Sequence, residues 1–268
     1  MICVKRFYCF VLLLAGGILL SFTVPVQSQA LKIPFYDDFS KPGLLTPDST
    51  LWLPSGVTLN NSYAINPPTQ FVATFDGRNK FGSPYNATVN NAFGETDSLT
   101  SRPIDLSGFT PNDSLILSFF LQPKGLGDLP DPEDSLIVRF RNHKMEWVNV
   151  YRNDSTIKST TKFSQVFLSI RDTSFLHDKF QFSFITKGRQ SGAFDVWHLD
   201  YVFLEKQNNR LKPQGFYNDI AVQNIGGSLL KYYRSMPMRQ FISNAENEIS
   251  DSLTVNVLNL RPDLLSLG

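Results

Sequence analysis

The chain has 268 residues, 42% of them hydrophobic and 13% aromatic, with 25 Lys and Arg against 24 Asp and Glu. That apolar content can bury a sizeable core and excludes wholesale disorder, while a net charge of +1 without a basic run argues against a nucleic-acid partner. The length admits one large β domain, or one domain and part of another.

Lys5 and Arg6, the apolar stretch from Phe7 to Leu20 and the small residues of Ser28-Gln29-Ala30 have the layout of a signal peptide over 1–30, with cleavage before Leu31. A retained membrane anchor fits less well, because the uncharged run is short and breaks at Pro25. Both cysteines, Cys3 and Cys9, leave with that segment, so the mature domain has no thiol for a disulfide, a zinc site or a nucleophile. Losing Lys5 and Arg6 leaves 23 basic residues against 24 acidic ones, a net of −1. The expected location is secreted, periplasmic or cell-surface, with membrane contact only through the signal peptide before cleavage.

The mature chain opens on an aromatic strand, Ile33-Pro-Phe-Tyr-Asp-Asp-Phe, ending in the paired carboxylates Asp37 and Asp38. Val57 to Ile65 and Phe71 to Phe75 read as two further strands, closed by the turn dipeptide Asp76-Gly77, and a Gly-, Asn- and Ser-rich loop runs from Arg78 to Glu95. Short alternating segments follow at 99–106, 114–122, 135–141, 146–152, 163–170 and 179–187. Leu115, Leu117, Phe119 and Leu121 define one apolar face, and Ser118, Arg139, Arg141, Gln181 and Ser183 are expected to face water. The acidic, Pro-rich segment from Gly125 to Asp134 reads as a solvated hairpin loop.

Asp195 to Leu204 is the central strand of this pattern. Strict alternation puts Trp197, Leu199, Tyr201 and Phe203 on one face and Val196, His198, Asp200 and Val202 on the other. Residues 31–206 are expected to form an all-β, two-sheet antiparallel jelly-roll-like sandwich. Residues 207–268 would be a linker and a short C-terminal extension, a partial or docked β segment in which Pro237 breaks a helical turn.

Asp-Ser-Leu or Asp-Ser-Thr recurs at Asp48, Asp97, Asp113, Asp134, Asp154 and Asp251. Asp and Ser close turns through side-chain to backbone hydrogen bonds, and the triplets also resemble the O-glycosylation sequon of Bacteroidota. His143, His177 and His198 lack metal-ligand spacing and no Gly-x-Ser-x-Gly elbow occurs, so no catalytic residue is assigned. Asp37, Asp38 and Asp200, from the first and last strands, can meet at one edge and hold a structural calcium ion with backbone carbonyls. Trp52, Trp147, Tyr151 and His198 are the candidate binding residues. Large aromatics on strands are mostly core, so Trp52, beside Pro54-Ser55-Gly56, is the indole expected at the surface.

Taken together, Tyr36-Asp-Asp-Phe, Ser98-Leu-Thr-Ser-Arg-Pro-Ile-Asp-Leu, Trp147 to Tyr151, and Gly192 to Val202 with its Leu-Asp-Tyr-Val close resemble MAM-like jelly-roll modules. Secreted Bacteroidota surface proteins with a Trp-His-Leu-Asp-Tyr-Val strand are the nearer likeness, over about residues 34–206. The disulfides of MAM modules are missing, and their closing Asp-Asp is Asp200-Tyr201 here, which removes one metal ligand. The resemblance implies a secreted, non-catalytic binding or adhesion module recognising an envelope protein or a glycan. A glycosidase or esterase with a loop-built acidic site, and a structural subunit of an outer-membrane or secretion complex, are the alternatives.

Overall fold

The computed structural model describes residues 29–41, 43–153, 160–207 and 219–261. The expected signal peptide, apart from Gln29 and Ala30, most of the expected linker, and the Asp154 triplet lie outside them. Two antiparallel sheets face one another. The first contains β1 (Phe35–Asp37), β2 (Thr58–Asn60), β3 (Val72–Phe75), β5 (Leu115–Pro123), β8 (Ser164–Ile170) and β10 (Trp197–Lys206) in the order β2-β3-β10-β5-β8, with β1 also paired to β10. The second runs β4-β9-β6-β7, from β4 (Phe93–Thr100), β6 (Ser135–Arg141), β7 (Trp147–Asn153) and β9 (Phe182–Arg189).

The alternating pattern places the core between them. Leu115, Leu117, Phe119 and Leu121 of β5 meet Leu136, Val138 and Phe140 of β6 and Phe182 and Phe184 of β9, all buried. Edge-to-face ring pairs such as Phe119–Phe184 at 4.9 Å and Phe35–Phe182 at 5.2 Å fill the space between the sheets. The fold class is the all-β jelly-roll-like sandwich that the strand pattern implies.

The central strand departs from strict alternation. The pairing of β10 with β5 shifts register between Asp200 and Phe203, where Tyr201 has φ 52°. One residue taken up by this bulge exchanges the faces. Trp197 and Leu199 point into the core before it, and Val202 and Leu204 after it. Tyr201 and Phe203, expected beside Trp197, lie instead in a separate cluster with Ile116 and Phe120, on the outer side of the first sheet.

Part of that outer side is covered by the C-terminal segment. There β11 (Ile220–Gly226) pairs with β12 (Thr254–Asn259), and between them lie α1 (Met238–Ser243) and α2 (Ala245–Glu248). Leu260 packs on the Tyr201–Phe203 cluster, the Tyr201 hydroxyl donates to Asp219, and Gln223 Nε2 donates to the Pro67 carbonyl at 2.9 Å. Pro237 does not break a helix; it is the N-cap of α1, where its missing N–H leaves no bond unmade. Ser118, expected in water, is buried and reaches the Phe203 carbonyl at 3.3 Å.

Candidate functional site

The residues singled out on the first sheet are built into the fold. Trp52 is 1% exposed, packed among Phe35, Phe39 and Phe182, and its Nε1 donates to Asp37 Oδ2 at 2.6 Å. The turn after it led to an expectation of exposure, but the Trp52–Ser101 bridge draws the ring between the sheets. His198 is fully buried with both ring nitrogens in use. Asn60 Nδ2 donates to Thr74 Oγ1, whose hydroxyl lies 2.9 Å from His198 Nδ1, and His198 Nε2 faces the Lys124 carbonyl at 3.1 Å. Burial lowers its pKa to about 4, so the imidazole is a neutral link in a closed chain rather than a ligand-binding group.

The loop after β5 is what covers His198. Gly125, at φ 57°, lies so close that a Cβ there would fall 2.5 Å from His198 Nε2 and 2.4 Å from the Tyr63 carbonyl. The segment expected to be a solvated hairpin therefore begins as a clamp on the first sheet. It ends in a carboxylate group. Asp131, Asp134 and Asp195 bring oxygens within 4.8 Å of one another, and burial together with the hydrogen-bonded Asp195 pushes Asp134 up to about 7. This cluster sets the loop against the β9–β10 connection.

Of the expected metal ligands, Asp37 points away, held by Trp52 and by the Phe39 N–H at 2.9 Å. Asp38 contributes its main-chain carbonyl, 2.8 Å from Thr69 Oγ1. That hydroxyl also lies 2.9 and 3.1 Å from the two oxygens of fully buried Asp200, and 3.2 Å from the Phe71 carbonyl. Burial raises the Asp200 pKa well above the usual carboxylate value, and the Thr69 and Tyr201 N–H groups donate to its two oxygens, so this hydroxyl, carboxyl and pair of carbonyls form one buried oxygen cluster.

Asp97 interrupts the turn role of its triplet: it is buried within β4 and anchors the long loop, accepting from the Gly77 N–H and the Tyr85 hydroxyl, both at 2.8 Å. Burial raises its pKa to about 6. Because the folded value exceeds the unfolded one, this group's stabilising contribution is present below about pH 4 and is lost as the pH rises through 6. Lowering the pH from about 7.5 to about 5 is therefore expected to gain roughly 1.4 kcal/mol at this site. Urea unfolding of wild type and Asp97→Asn at both pH values checks it; equal pH dependence in the two proteins would count against the assignment.

The outer face of the second sheet carries a different set of side chains. Across β7, β6 and β9 the register sets Trp147 beside Arg141, and the Arg141 N–H donates to the Gln181 carbonyl across the sheet. Trp147 is 39% exposed, and the Arg141 guanidinium lies 5.6 Å from its ring centroid. The same guanidinium donates to Gln181 Oε1 at 2.6 Å, and Gln181 Nε2 in turn to the Ser101 carbonyl at 2.7 Å. In the next row Arg139 donates to Asn149 Oδ1 at 2.9 Å and reaches across β9 to pair with Glu95 on β4. Gln181 and Ser183, expected in water, are buried beneath this lattice, and Ser183 shares a 2.8 Å hydrogen bond with Thr100.

At the far end of β9, Lys187 lies 5.3 Å from the ring of Phe93, itself 46% exposed, and Arg189 lies 4.6 Å from that of Phe194. Tyr151, on β7 like Trp147, turns inward and meets Phe119 edge-on at 6.0 Å, so it supports the core rather than this surface. Arg139, Arg141 and Gln181 were read only as solvent positions, and Lys187 was not singled out. Their place at alternating positions on adjacent strands was the available signal.

No protein-family model and no curated protein matches the sequence. Among solved structures, the chain is similar to the C-terminal family 22 carbohydrate binding module of Clostridium thermocellum Xyn10B. The TM-score is 0.38 and the identity 9%, over 64% of this chain and 92% of that one. The CBM22-1 xylan-binding domain from Paenibacillus barcinonensis Xyn10C gives 0.37 and 11%, over 66% and 96%. Caldicellulosiruptor saccharolyticus CBM27-1 in complex with mannohexaose gives 0.35 and 11%, over 65% and 91%.

Proposed function

We propose that this is a secreted, non-catalytic binding module whose second sheet recognises a glycan at the cell envelope. The observation that carries this reading is the exposed Trp147 indole, flanked by Arg141, Gln181 and Asn149. A sugar ring offers an apolar C–H face to an aromatic plane and hydroxyls at its rim to fixed polar side chains. The outer side of the first sheet also exposes Tyr36 and Phe167, but the C-terminal segment packs on part of it and no polar lattice like that of Arg141, Gln181 and Asn149 surrounds those rings among the described residues. Binding without hydrolysis is favoured because Glu95, on this face, is paired with Arg139. The full chain should be retarded in native gels containing soluble polysaccharide; unchanged migration across a panel of neutral and acidic polymers would refute the reading.

A structural calcium ion is part of the same proposal. The Asp38 and Phe71 carbonyls, the Thr69 hydroxyl and the Asp200 carboxylate form an all-oxygen donor set of the kind a hard cation takes. Asp37 is not among its ligands. Millimolar calcium is expected to raise the Tm by several degrees, equivalent to about 2.7 kcal/mol at a hundredfold excess over Kd. EDTA should reverse the shift and Asp200→Asn should abolish it; a Tm indifferent to calcium would remove the ion from the proposal.

A further inference from the structure

We infer that the ligand of this face is an acidic polysaccharide, one whose sugar rings carry carboxylate or sulfate groups. The inference rests on the glycan reading and sharpens it by charge. Loss of the signal peptide leaves a chain of net charge −1, yet this one sheet face gathers Arg139, Arg141, Lys187 and Arg189 among its described residues. Arg139 is matched by Glu95.

Arg141 is held otherwise. Its guanidinium is positioned by neutral partners, the Gln181 amide oxygen at 2.6 Å, the Met145 carbonyl at 3.3 Å and the Trp147 ring. Those contacts fix the direction of the fork, and among the described residues no ion pair compensates its charge. Lys187 and Arg189 are set against the rings of Phe93 and Phe194. A cation oriented by a ring face keeps its N–H donors at the edge, where an anion can take them. From Phe182 to Arg189 the strand spans about 23 Å, so the cations form a row along which a polymer with repeating anionic groups can lie. A pyranose stacked on Trp147 would place an anionic substituent beside Arg141, where a planar guanidinium accepts carboxylate or sulfate oxygens pairwise.

The test is isothermal titration of the full chain with polygalacturonate, with a sulfated galactan and with neutral xylan, at about 50 mM and about 300 mM NaCl. At least one anionic polymer is expected to bind about tenfold or more tightly than xylan, and to weaken at the higher salt. Which of the two binds identifies carboxylate or sulfate as the recognised group. Arg141→Met, which also removes the donor to buried Gln181 Oε1 and is expected to lower the Tm somewhat, and the exposed Arg189→Gln, expected to leave the Tm unchanged, should each weaken anionic binding more than neutral binding. Xylan bound as tightly as both anionic polymers, or affinity insensitive to salt and to both substitutions, overturns the inference and leaves the glycan reading standing. Binding to none of the three overturns both.

Discussion

Replacing Trp52 with alanine is expected to cost about 5 kcal/mol of folding stability, enough to leave much of the protein unfolded at room temperature. Deleting a buried Trp or Phe side chain typically costs about 3–5 kcal/mol, and this one touches Phe35 at 5.1 Å, Phe182 at 5.6 Å and Phe39 at 6.1 Å between ring centroids. A second cost adds to it. Without Nε1, Asp37, 8% exposed, loses the donor that lies 2.6 Å from its Oδ2, at about 1–3 kcal/mol for an unsatisfied buried polar group. The sum is comparable to the whole stability of an ordinary domain, about 5–15 kcal/mol. Trp52→Phe separates the two contributions, because it keeps a ring among the neighbouring rings and removes only the donor. Urea unfolding at neutral pH reads both; a Trp52→Ala protein within about 1 kcal/mol of wild type would show that the indole is not a core element.

Trp52 also shows where sequence pattern stops being informative. The strands themselves were legible, since Leu115 to Leu121 or Leu136 to Phe140 need only alternation to declare a buried face. Trp52 lies outside any such run. Whether it stacks inward or faces solvent depends on the Ser101 bridge and on Asp37, partners 49 and 15 residues away that no local pattern reports. The bulge in β10 is a second instance. Asp200 and Tyr201 carry no glycine to announce it, so period-2 counting gave Tyr201 and Phe203 the wrong face.

His198 was legible as a polar residue needing a partner, but the partners come from β3 and from the Lys124 loop, and they use up both nitrogens. The candidate site was the least legible part. Arg139, Arg141, Gln181 and Lys187 acquire meaning only when β4-β9-β6-β7 is the strand order, and that order follows from pairing across more than 80 residues, as in Phe93 with Arg189.

Trp147→Ala is expected to remove most glycan binding while leaving the fold intact, the reverse of the effect at Trp52. An aromatic anchor at the centre of a recognition surface is typically worth about 2 kcal/mol or more, which is about thirtyfold in Kd. The same side chain contributes little to folding, because it sits on the edge strand β7 at 39% exposure and its ring meets the Arg141 guanidinium on the outer face; a stability change within about 1 kcal/mol is expected. Fluorescence offers an independent readout. The chain has 3 Trp, of which Trp52 and Trp197 are buried at 1% and 2% exposure, so Trp147 is the indole that an aqueous quencher or a bound sugar can reach. Wild-type emission should shift on titration with polysaccharide and should be partly quenched by iodide, and Trp147→Ala should lose both responses. Undiminished affinity in Trp147→Ala, measured beside an unchanged Tm, would mean that the indole is not the platform and that the second sheet is not the binding face.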